Sequence, residues 1–284
     1  MYLFIDQGNS RCKYVLTKSV ELFKEEAAGA WDSKASSADE LKKHLEQFAG
    51  FGVKAVIISS VASLEAKKVF KQACEKTLVI TPVFAESTSS YIAKDSSPIG
   101  NSAQSSRTLV NSYANPQALG VDRWLAMIAV FERCVTDFIV IDAGTAITAD
   151  WVNAQGVHQG GHIVAGKKLL QQSLLGETGG IAWSASHDNQ AEGDLCGQNT
   201  SAAVSLGADV MVEGYCRQLV RQIISAYKDA DNRNDLEIWL TGGDGAEVLQ
   251  WIEQELQLLN KPFKVTLEPK LVFLGLNHWF SVNK

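Results

Sequence analysis

The N-terminal third of the chain alternates short apolar runs with amphipathic segments. An apolar run over residues 2–5 stops at Asp6, and a second run resumes over residues 14–16. This pattern predicts a buried strand, a polar tip and a second strand. Ser37 and Glu40 have the spacing of a capping box, which predicts the start of a helix that Leu41 and Leu45 continue at helical spacing.

The segments that follow predict an α/β domain. Residues 53–61 are rich in branched side chains, which is typical of a parallel strand buried on both faces. A helix over 65–74 and a strand over 78–84 complete a β-β-α-β-α-β succession. Residues 87–115 are rich in Ser, Asn and Pro and predict a long irregular join between two halves.

The opening pattern then repeats in the second half. Residues 122–134 predict an amphipathic helix, and residues 138–152 predict another strand, polar tip and strand. The tips at Asp6 to Asn9 and at Asp142 to Thr145 therefore occupy corresponding positions in two α/β halves. We predict domains over 1–115 and 116–284, with the last helix as a candidate to pack back on the first domain.

Composition narrows the class of partner. Of the 284 residues, 46% are hydrophobic and 20% are charged, which is typical of a globular protein, and the net charge of -6 disfavours nucleic acid and anionic membranes. The five scattered cysteines predict neither a disulfide framework nor a zinc site. Since no long apolar stretch or signal-peptide core occurs, we expect a cytoplasmic protein that acts on small molecules.

Both polar tips carry groups that suit phosphate and a cation. A glycine in each tip lets the backbone approach a ligand, and Asn9, Ser10 and Thr145 supply donors for phosphate oxygens. The Asp6 and Asp142 carboxylates suit a hard cation, held directly or through water. If the tips face each other, they hold a nucleotide triphosphate between the domains; the alternative is that each is a plain turn.

The segment LGVDRW, residues 119–124, allows two interpretations. In one, Asp122 caps the start of a helix and Arg123 is a solvated charge. In the other, Asp122 is a general base for an alcohol and Arg123 fixes an anion or a transferring phosphoryl group.

Five segments in chain order resemble those of type III pantothenate kinase. They are DQGNSRCK at 6–13, LGVDRW at 119–124, DAGTAIT at 142–148, GGHIVAG at 160–166 and TGGD at 241–244. The LVFLGL segment near the C-terminus is also similar to the ending of that family. The resemblance implies an α/β fold of two ribonuclease H-like domains, as in the actin-like ATPase superfamily, with a nucleotide cleft between the domains.

The resemblance also implies a reaction, its cofactors and a set of site residues. The reaction is ATP-dependent phosphorylation of the pantothenate 4′-hydroxyl, the first step of coenzyme A synthesis, with Mg²⁺ and a monovalent cation, K⁺ or NH₄⁺, in a homodimer. The implied ATP-binding residues are Asp6, Gln7, Gly8, Asn9, Ser10, Arg11, Cys12, Lys13 and Thr145. The implied pantothenate contacts are Tyr113, Gly120, Val121, Asp122, Arg123 and Thr200. Asp122 is the implied base, Asp142 binds the monovalent cation, and Asp6 holds magnesium directly or through water.

Several alternatives stay open from the residues. Tyr113 could be a surface aromatic and Thr200 a plain N-cap, and Ala165 replaces a proline of the family. A nucleotide-binding accessory protein without turnover and a sugar kinase of the same fold are competing functions. A P-loop over 161–168 is disfavoured because Lys168 replaces its magnesium-binding hydroxyl, so Lys167 and Lys168 are expected to be solvated. No histidine is assigned a catalytic role.

Overall fold

The computed structural model describes residues 1–21, 23–33, 37–93, 107–177, 195–226 and 236–283. The chain divides into two compact units. Unit 1 contains Met1–Phe138, Asp150–Gly160 and Lys270–Lys284, and unit 2 contains Ile139–Ala149 and Gly161–Pro269. These units are defined by compactness, whereas the domain boundary at residues 115 and 116 follows the repeat in the sequence, so that boundary stays a prediction.

A five-stranded sheet forms the centre of unit 1. Its strands are β1 (Tyr2–Gln7), β2 (Arg11–Thr17), β3 (Glu25–Asp32), β4 (Ala55–Ser60) and β5 (Val83–Phe84), in the spatial order β3-β2-β1-β4-β5. Strand β1 pairs antiparallel with β2 and parallel with β4, so Asp6 lies opposite both Lys13 and Ser59. Leu3, Phe4 and Ile5 are fully buried, which confirms the predicted buried strand.

Two helices cover this sheet near the positions that the sequence predicts. Helix α1 (Ala38–Glu46) begins after Ser37, and the Ser37 and Glu40 side chains form the predicted capping box. Helix α2 (Leu64–Leu78) continues beyond its predicted end, and Val79 then adopts a left-handed conformation with φ 59°. The predicted strand over 78–84 is therefore wrong except at β5, because a helix end and an apolar loop can form the same short apolar run as a buried strand.

The structure adds strands that the sequence pattern does not predict. The β3 sequence, EEAAGAWD, is rich in Glu and Ala, which are depleted in strands, and pairing with β2 determines its conformation. Strands β6 (Ser90–Ile92) and β7 (Thr108–Val110) pair antiparallel inside the segment predicted to be irregular. Tertiary pairing therefore overrides local composition in these three strands.

Helices α3 (Val121–Phe131) and α7 (Leu271–Val282) pack against each other in unit 1, and α7 also contacts β1 and β4. Every residue of α3 except Asp122 is buried, so the helix predicted to be amphipathic is covered on all sides. The two helices approach closely at Gly275. A Cβ atom added there would lie 1.8 Å from the Leu125 carbonyl oxygen.

Replacing Gly275 with Ala is expected to destabilise the fold by up to about 3 kcal/mol, because α7 must move away from α3 to admit the methyl group. Gly214→Ala is the matched control, since Gly214 also lies in a helix but has no atom within 4 Å of an added Cβ. The control should gain roughly 1 kcal/mol from helix propensity. Urea unfolding measures both changes, and equal midpoints for the two variants would contradict the close packing.

The second sheet repeats the order of the first. Its strands are β8 (Phe138–Ala143), β9 (Ala146–Val152), β10 (His158–Ala165), β11 (Glu237–Thr241) and β12 (Lys264–Leu267), in the order β10-β9-β8-β11-β12. In both sheets the first three strands along the chain lie in the order third, second, first, and the fourth and fifth strands follow beside the first. The predicted internal repeat is therefore confirmed.

Unit 2 also contains α4 (Lys167–Glu177), α5 (Thr200–Ala226) and α6 (Gly245–Leu258), and α5 packs against both α4 and α6. Buried side chains of α5, among them Val212, Leu219 and Ile223, supply the contact surface. None of the helices in the described ranges combines the length and apolar composition that crossing a membrane requires.

Candidate active site

The first polar tip, between β1 and β2 in unit 1, is braced by backbone and side-chain bonds. The Gly8 amide donates to the Arg11 carbonyl oxygen at 3.1 Å, which closes the turn. Beyond β3, the Ser33 hydroxyl donates to the Gly8 carbonyl oxygen at 2.8 Å. The Ser33 amide donates to the Ser10 carbonyl oxygen at 3.1 Å. These bonds hold the segment that the sequence predicts to bind phosphate.

The predicted ATP-binding residues in this tip have different environments. Asn9 and Arg11 are exposed, whereas Gln7 and Cys12 are buried. The Ser60 hydroxyl donates to Gln7 Oε1 at 2.7 Å, which ties the end of β1 to the end of β4. Burial raises the pKa of the Cys12 thiol, and the nearby Asp6 charge adds to this effect, so the thiol is neutral and packs in the core. Any contact of Cys12 with a phosphate would therefore use its backbone.

The second polar tip, between β8 and β9 in unit 2, is held from two sides. The Gly144 amide donates to the Ala146 carbonyl oxygen, and the Gly166 amide donates to the Thr145 carbonyl oxygen, each at 3.0 Å. From the other side, the Asp244 amide donates to the Ala143 carbonyl oxygen at 3.0 Å. The GGHIVAG and TGGD segments, which are far apart in the sequence, thus both end at the tip that carries Asp142 and Thr145.

Two glycines permit this convergence. A Cβ atom on Gly166 would lie 2.2 Å from the Gly144 carbonyl oxygen. A Cβ atom on Gly242, whose φ is 93°, would lie 2.1 Å from the Ala143 carbonyl oxygen and 2.5 Å from Asp142 Oδ1. Both positions leave no space for a Cβ atom, and Gly242 also has a φ that other residues rarely adopt. In the sequence these glycines matched the family without a stated role.

Asp122 lies in the first turn of α3. Gly120 occupies the N-cap position, and Asp122 Oδ1 accepts a hydrogen bond from the Arg123 amide at 2.8 Å. The N-cap residue is therefore Gly120 rather than Asp122, although the Asp122 carboxylate does accept an amide of the first turn. Burial raises the pKa of the Asp122 carboxyl, and the Arg123 amide and charge only partly oppose this effect. A carboxylate with a raised pKa is well suited to accept a proton.

Arg123 is buried and paired, so the interpretation that it is a solvated charge is also wrong. Its Nε and Nη2 donate to the two oxygens of Asp150 at 2.8 Å and 2.6 Å. Its Nη1 donates to the Tyr113 hydroxyl at 3.2 Å. His158 Nε2 lies 2.9 Å from Asp150 Oδ1. Sequence reasoning missed Asp150 and His158, because neither lies in one of the motifs and their contacts join residues of three different elements.

Thr200 is the first residue of α5 in unit 2. Asn199 Oδ1 accepts the Ala202 amide at 2.9 Å, so Asn199 caps the helix and the suggestion that Thr200 is its N-cap is wrong. Thr200 is exposed and lines a largely apolar cavity of about 890 Å³ with Leu170, Val204 and Met211. Tyr113, Asp122 and Arg123 belong to unit 1, so their convergence with Thr200 on one ligand stays a prediction.

The segment that approximates a P-loop has another structure. Residues 161–165 lie in β10 rather than in a phosphate-binding loop. The expectation that Lys167 is solvated is wrong, because Lys167 Nζ forms ion pairs with Asp209 Oδ1 at 2.8 Å and Glu247 Oε1 at 2.5 Å. Lys167 therefore connects α4 to α5 and α6.

Comparison with known proteins assigns the family. The profile of the family "Type III pantothenate kinase" matches residues 2–222. The chain is 30% identical over 280 residues to the type III pantothenate kinase of Pseudomonas savastanoi, covering 97% of both chains. It is 32% identical over 246 residues to that of Marinobacter nauticus, covering 86% of this chain and 87% of the relative.

Solved structures agree in fold. A putative 2-dehydro-3-deoxygalactonokinase from Sinorhizobium meliloti is similar with a TM-score of 0.54 and 11% identity, over 100% of this chain and 99% of that chain. A putative N-acetylmannosamine kinase from Listeria monocytogenes has a TM-score of 0.50 and 11% identity over the same shares. These similarities and the repeated five-stranded sheets confirm the predicted ribonuclease H-like α/β fold. The chain belongs to the type III pantothenate kinase family.

Proposed function

We propose that this chain transfers the γ-phosphoryl group of ATP to the 4′-hydroxyl of pantothenate, the entry step of coenzyme A synthesis. The supporting observation is the half-buried Asp122 carboxylate, whose pKa is raised by burial, directly before an arginine held in a buried ion pair. Membership of the family supports the same reaction.

Asp122 acts as the base for the acceptor hydroxyl. In phosphoryl transfer the transition state is largely dissociative, so a base contributes by aiming the hydroxyl and by accepting its proton as the bond forms. The bond from the Arg123 amide keeps Asp122 Oδ1 in place, and the second oxygen is then the one that meets the acceptor. The proton of the acceptor hydroxyl is transferred to the Asp122 carboxylate.

The two polar tips bind the phosphates of ATP. In unit 1, the backbone amide of Gly8, the side chains of Asn9 and Ser10, and the positive charges of Arg11 and Lys13 can contact phosphate oxygens. Cys12 contributes its backbone, and the Ser60 hydroxyl holds the Gln7 side chain in place. In unit 2, Thr145 contributes its hydroxyl. Such a mixture of neutral donors and cations suits a polyphosphate.

The residues present fit the two cations that the family implies. No group of three or more His, Cys, Asp or Glu side chains gathers to hold a metal within the described ranges. Magnesium characteristically uses one or two carboxylates together with substrate phosphates and water, and Asp6 can supply that carboxylate. At the second tip, the Asp142 carboxylate and the Ala143 carbonyl oxygen both lie close to Gly242, and such oxygen atoms are suitable ligands for a monovalent cation. When bound, the cations neutralise phosphate charge.

Pantothenate carries a carboxylate, an amide and two hydroxyls, so its site needs one cation and several neutral donors. Arg123 supplies the cation, the Tyr113 hydroxyl lies 3.2 Å from Arg123 Nη1, and the backbone at Gly120 and Val121 precedes the base. Thr200 completes the set from unit 2. The proposal includes a homodimer in the cytoplasm, and the exposed apolar side chains of Val210 and Met211 on α5 support a contact with a second copy.

A coupled ADP-release assay tests the proposal. We expect turnover that requires both ATP and pantothenate, with ³¹P NMR identifying 4′-phosphopantothenate as the product. Nucleotide binding without turnover would instead support the accessory-protein alternative, and turnover with a hexose in place of pantothenate would support a sugar kinase.

Replacing K⁺ with tetramethylammonium is expected to lower the turnover of the wild type by about tenfold or more, because phosphate charge is then less compensated. Asp142→Asn should be slow with either cation and should not respond to K⁺. Glu253→Gln, which removes an exposed carboxylate of α6, should respond like the wild type. A K⁺-dependent rise in the melting temperature that Asp142→Asn loses is the second readout. A full K⁺ response in Asp142→Asn would contradict the assignment.

A further inference from the structure

Four polar side chains, three of them buried, form a cluster beside Asp122, and the proposed reaction assigns no role to two of them. The Arg123 cluster consists of Tyr113, Arg123, Asp150 and His158, all in unit 1. Relative exposures are 6% for Arg123, 2% for Asp150 and 0% for His158. Burial of charged groups is costly unless each is paired, so a cluster of this kind must be closely satisfied.

Asp150 fixes the plane of the Arg123 guanidinium. Its two oxygens accept Nε at 2.8 Å and Nη2 at 2.6 Å, which is the bidentate geometry of an arginine and a carboxylate. A point contact would let the guanidinium rotate, whereas two parallel bonds do not. The carboxylate also compensates the arginine charge inside the protein.

His158 in turn fixes Asp150 and Tyr113. Because a carboxylate can only accept, the hydrogen of the 2.9 Å contact belongs to His158 Nε2, and Nδ1 then faces the Ser112 hydroxyl at 3.4 Å. The imidazole ring stacks on the Tyr113 ring, with centroids 5.8 Å apart and planes 18° apart. The Tyr113 hydroxyl accepts Arg123 Nη1 at 3.2 Å. The four side chains thus form a closed ring of contacts.

The ring leaves part of Arg123 available. A guanidinium has five N–H groups, and the contacts to Asp150 and Tyr113 use three of them, so one remains on each Nη within the part of the chain that the structure describes. Two N–H groups on neighbouring nitrogens match the two oxygens of a carboxylate or phosphoryl group. Their direction is set by Asp150 and, through it, by His158.

We propose that Asp150 and His158 are positioning residues that aim the remaining N–H groups of Arg123 at an oxyanion of the substrates. This inference rests on the proposed function. The oxyanion is either the pantothenate carboxylate or the transferring phosphoryl group, and kinetics distinguishes these sources. If Arg123 contacts the pantothenate carboxylate, loss of its positioning raises KM for pantothenate. If it contacts the transferring phosphoryl group, the same loss lowers kcat.

The test compares His158→Ala with His158→Gln. The alanine variant removes the donor to Asp150, and we expect either KM for pantothenate or kcat to change by about tenfold, with KM for ATP within about twofold of the wild type. The glutamine variant should recover much of the loss, because its Nε2 amide can donate to Asp150. Asp150→Asn is a further variant that should change the same kinetic constant. If Asp150→Asn does not fold, the comparison of His158→Ala with His158→Gln is sufficient to test the proposal.

Leu45→Ala is the control for lost stability. Leu45 is fully buried among α1, α2 and the first sheet, and its truncation destabilises unit 1 without removing a polar contact of the Arg123 cluster. This variant should melt at a lower temperature and keep both kinetic constants. If His158→Ala changes only the melting temperature, as Leu45→Ala does, the positioning role is wrong.

A readout that needs no turnover separates this inference from the proposed function. The ¹⁵N NMR signal of Arg123 Nε–H should exchange slowly with water in the wild type and much faster in His158→Ala, since a loosened Asp150 no longer holds it. Unchanged exchange would overturn the positioning role even in an active kinase. A wild type without pantothenate turnover but with the exchange difference would instead overturn the proposed function, while the ordering of Arg123 by His158 would still be shown.

Discussion

Asp122→Asn is expected to lower kcat for pantothenate phosphorylation by roughly 10²–10⁴-fold, the usual contribution of a positioned general base. The asparagine Oδ1 can still accept the Arg123 amide, so the start of α3 should keep its geometry. What the variant loses is the negative charge and the ability to take up the proton. Binding of ATP should be nearly unchanged, because the proposed phosphate contacts lie in the two polar tips.

The pH dependence supplies an independent check on Asp122. Since burial raises the pKa of this carboxyl, the wild type should lose kcat/KM as the pH falls through that raised value, at a higher pH than an ordinary aspartate would require. The same shift means that the ionised group destabilises the fold at neutral pH, and this cost disappears below its ordinary pKa. Asp122→Asn should therefore melt at a higher temperature than the wild type at pH 7.

Asp39→Asn is the matched control, because Asp39 is an exposed carboxylate in the first turn of α1. Asp39→Asn should have the kcat of the wild type, and its kcat/KM should fall over the same acidic pH range as that of the wild type. Turnover by Asp122→Asn within about threefold of the wild type would remove the assigned role, as would an unchanged acid limb in that variant.

Gly242→Ala is expected to cost about 3 kcal/mol or more of stability and to disturb the second polar tip. A φ of 93° is strained for any residue with a side chain. The new methyl group would also lie 2.1 Å from the Ala143 carbonyl oxygen and 2.5 Å from Asp142 Oδ1, so backbone or carboxylate must move. Because Asp142 is the proposed cation ligand, the remaining folded enzyme should respond weakly to K⁺.

The neighbouring residue gives a closely matched control. Gly243 has no atom within 4 Å of an added Cβ and no left-handed φ. Gly243→Ala should therefore change stability by less than about 1 kcal/mol and keep the K⁺ response. Urea unfolding and K⁺ titration of turnover measure both variants. Similar losses in the two would contradict a specific contact between Gly242 and the Asp142 tip.

Much of the fold could be predicted from the sequence. Buried strands such as β1 and β8 are short, strongly apolar and bounded by Asp, and the Ser37 capping box marks α1 by local hydrogen bonding alone. By contrast, β3 was missed because its Glu and Ala residues carry no strand signal, and residues 78–84 were misassigned because a short apolar run has no period of its own. Local patterns succeed where local interactions decide the conformation.

The candidate site divides in the same way. Asp6, Asp122, Arg123 and Asp142 could be found from the sequence because they lie in short motifs beside strands and helix starts. Asp150 and His158 could not, since the bond between them and their contact with Arg123 join residues of β9, β10 and α3. Roles that depend on a partner distant in the chain are invisible to a motif.

The sequence by itself determined the repeated α/β pattern, the acidic strand ends and the family, because these depend on residue type and spacing over a few neighbours. Tertiary structure alone decided that Arg123 is a buried, paired group rather than a solvated charge, and that two distant glycines close around Asp142. The physical reason is that burial and close backbone approach are properties of elements packed together, and no single segment of the chain contains them.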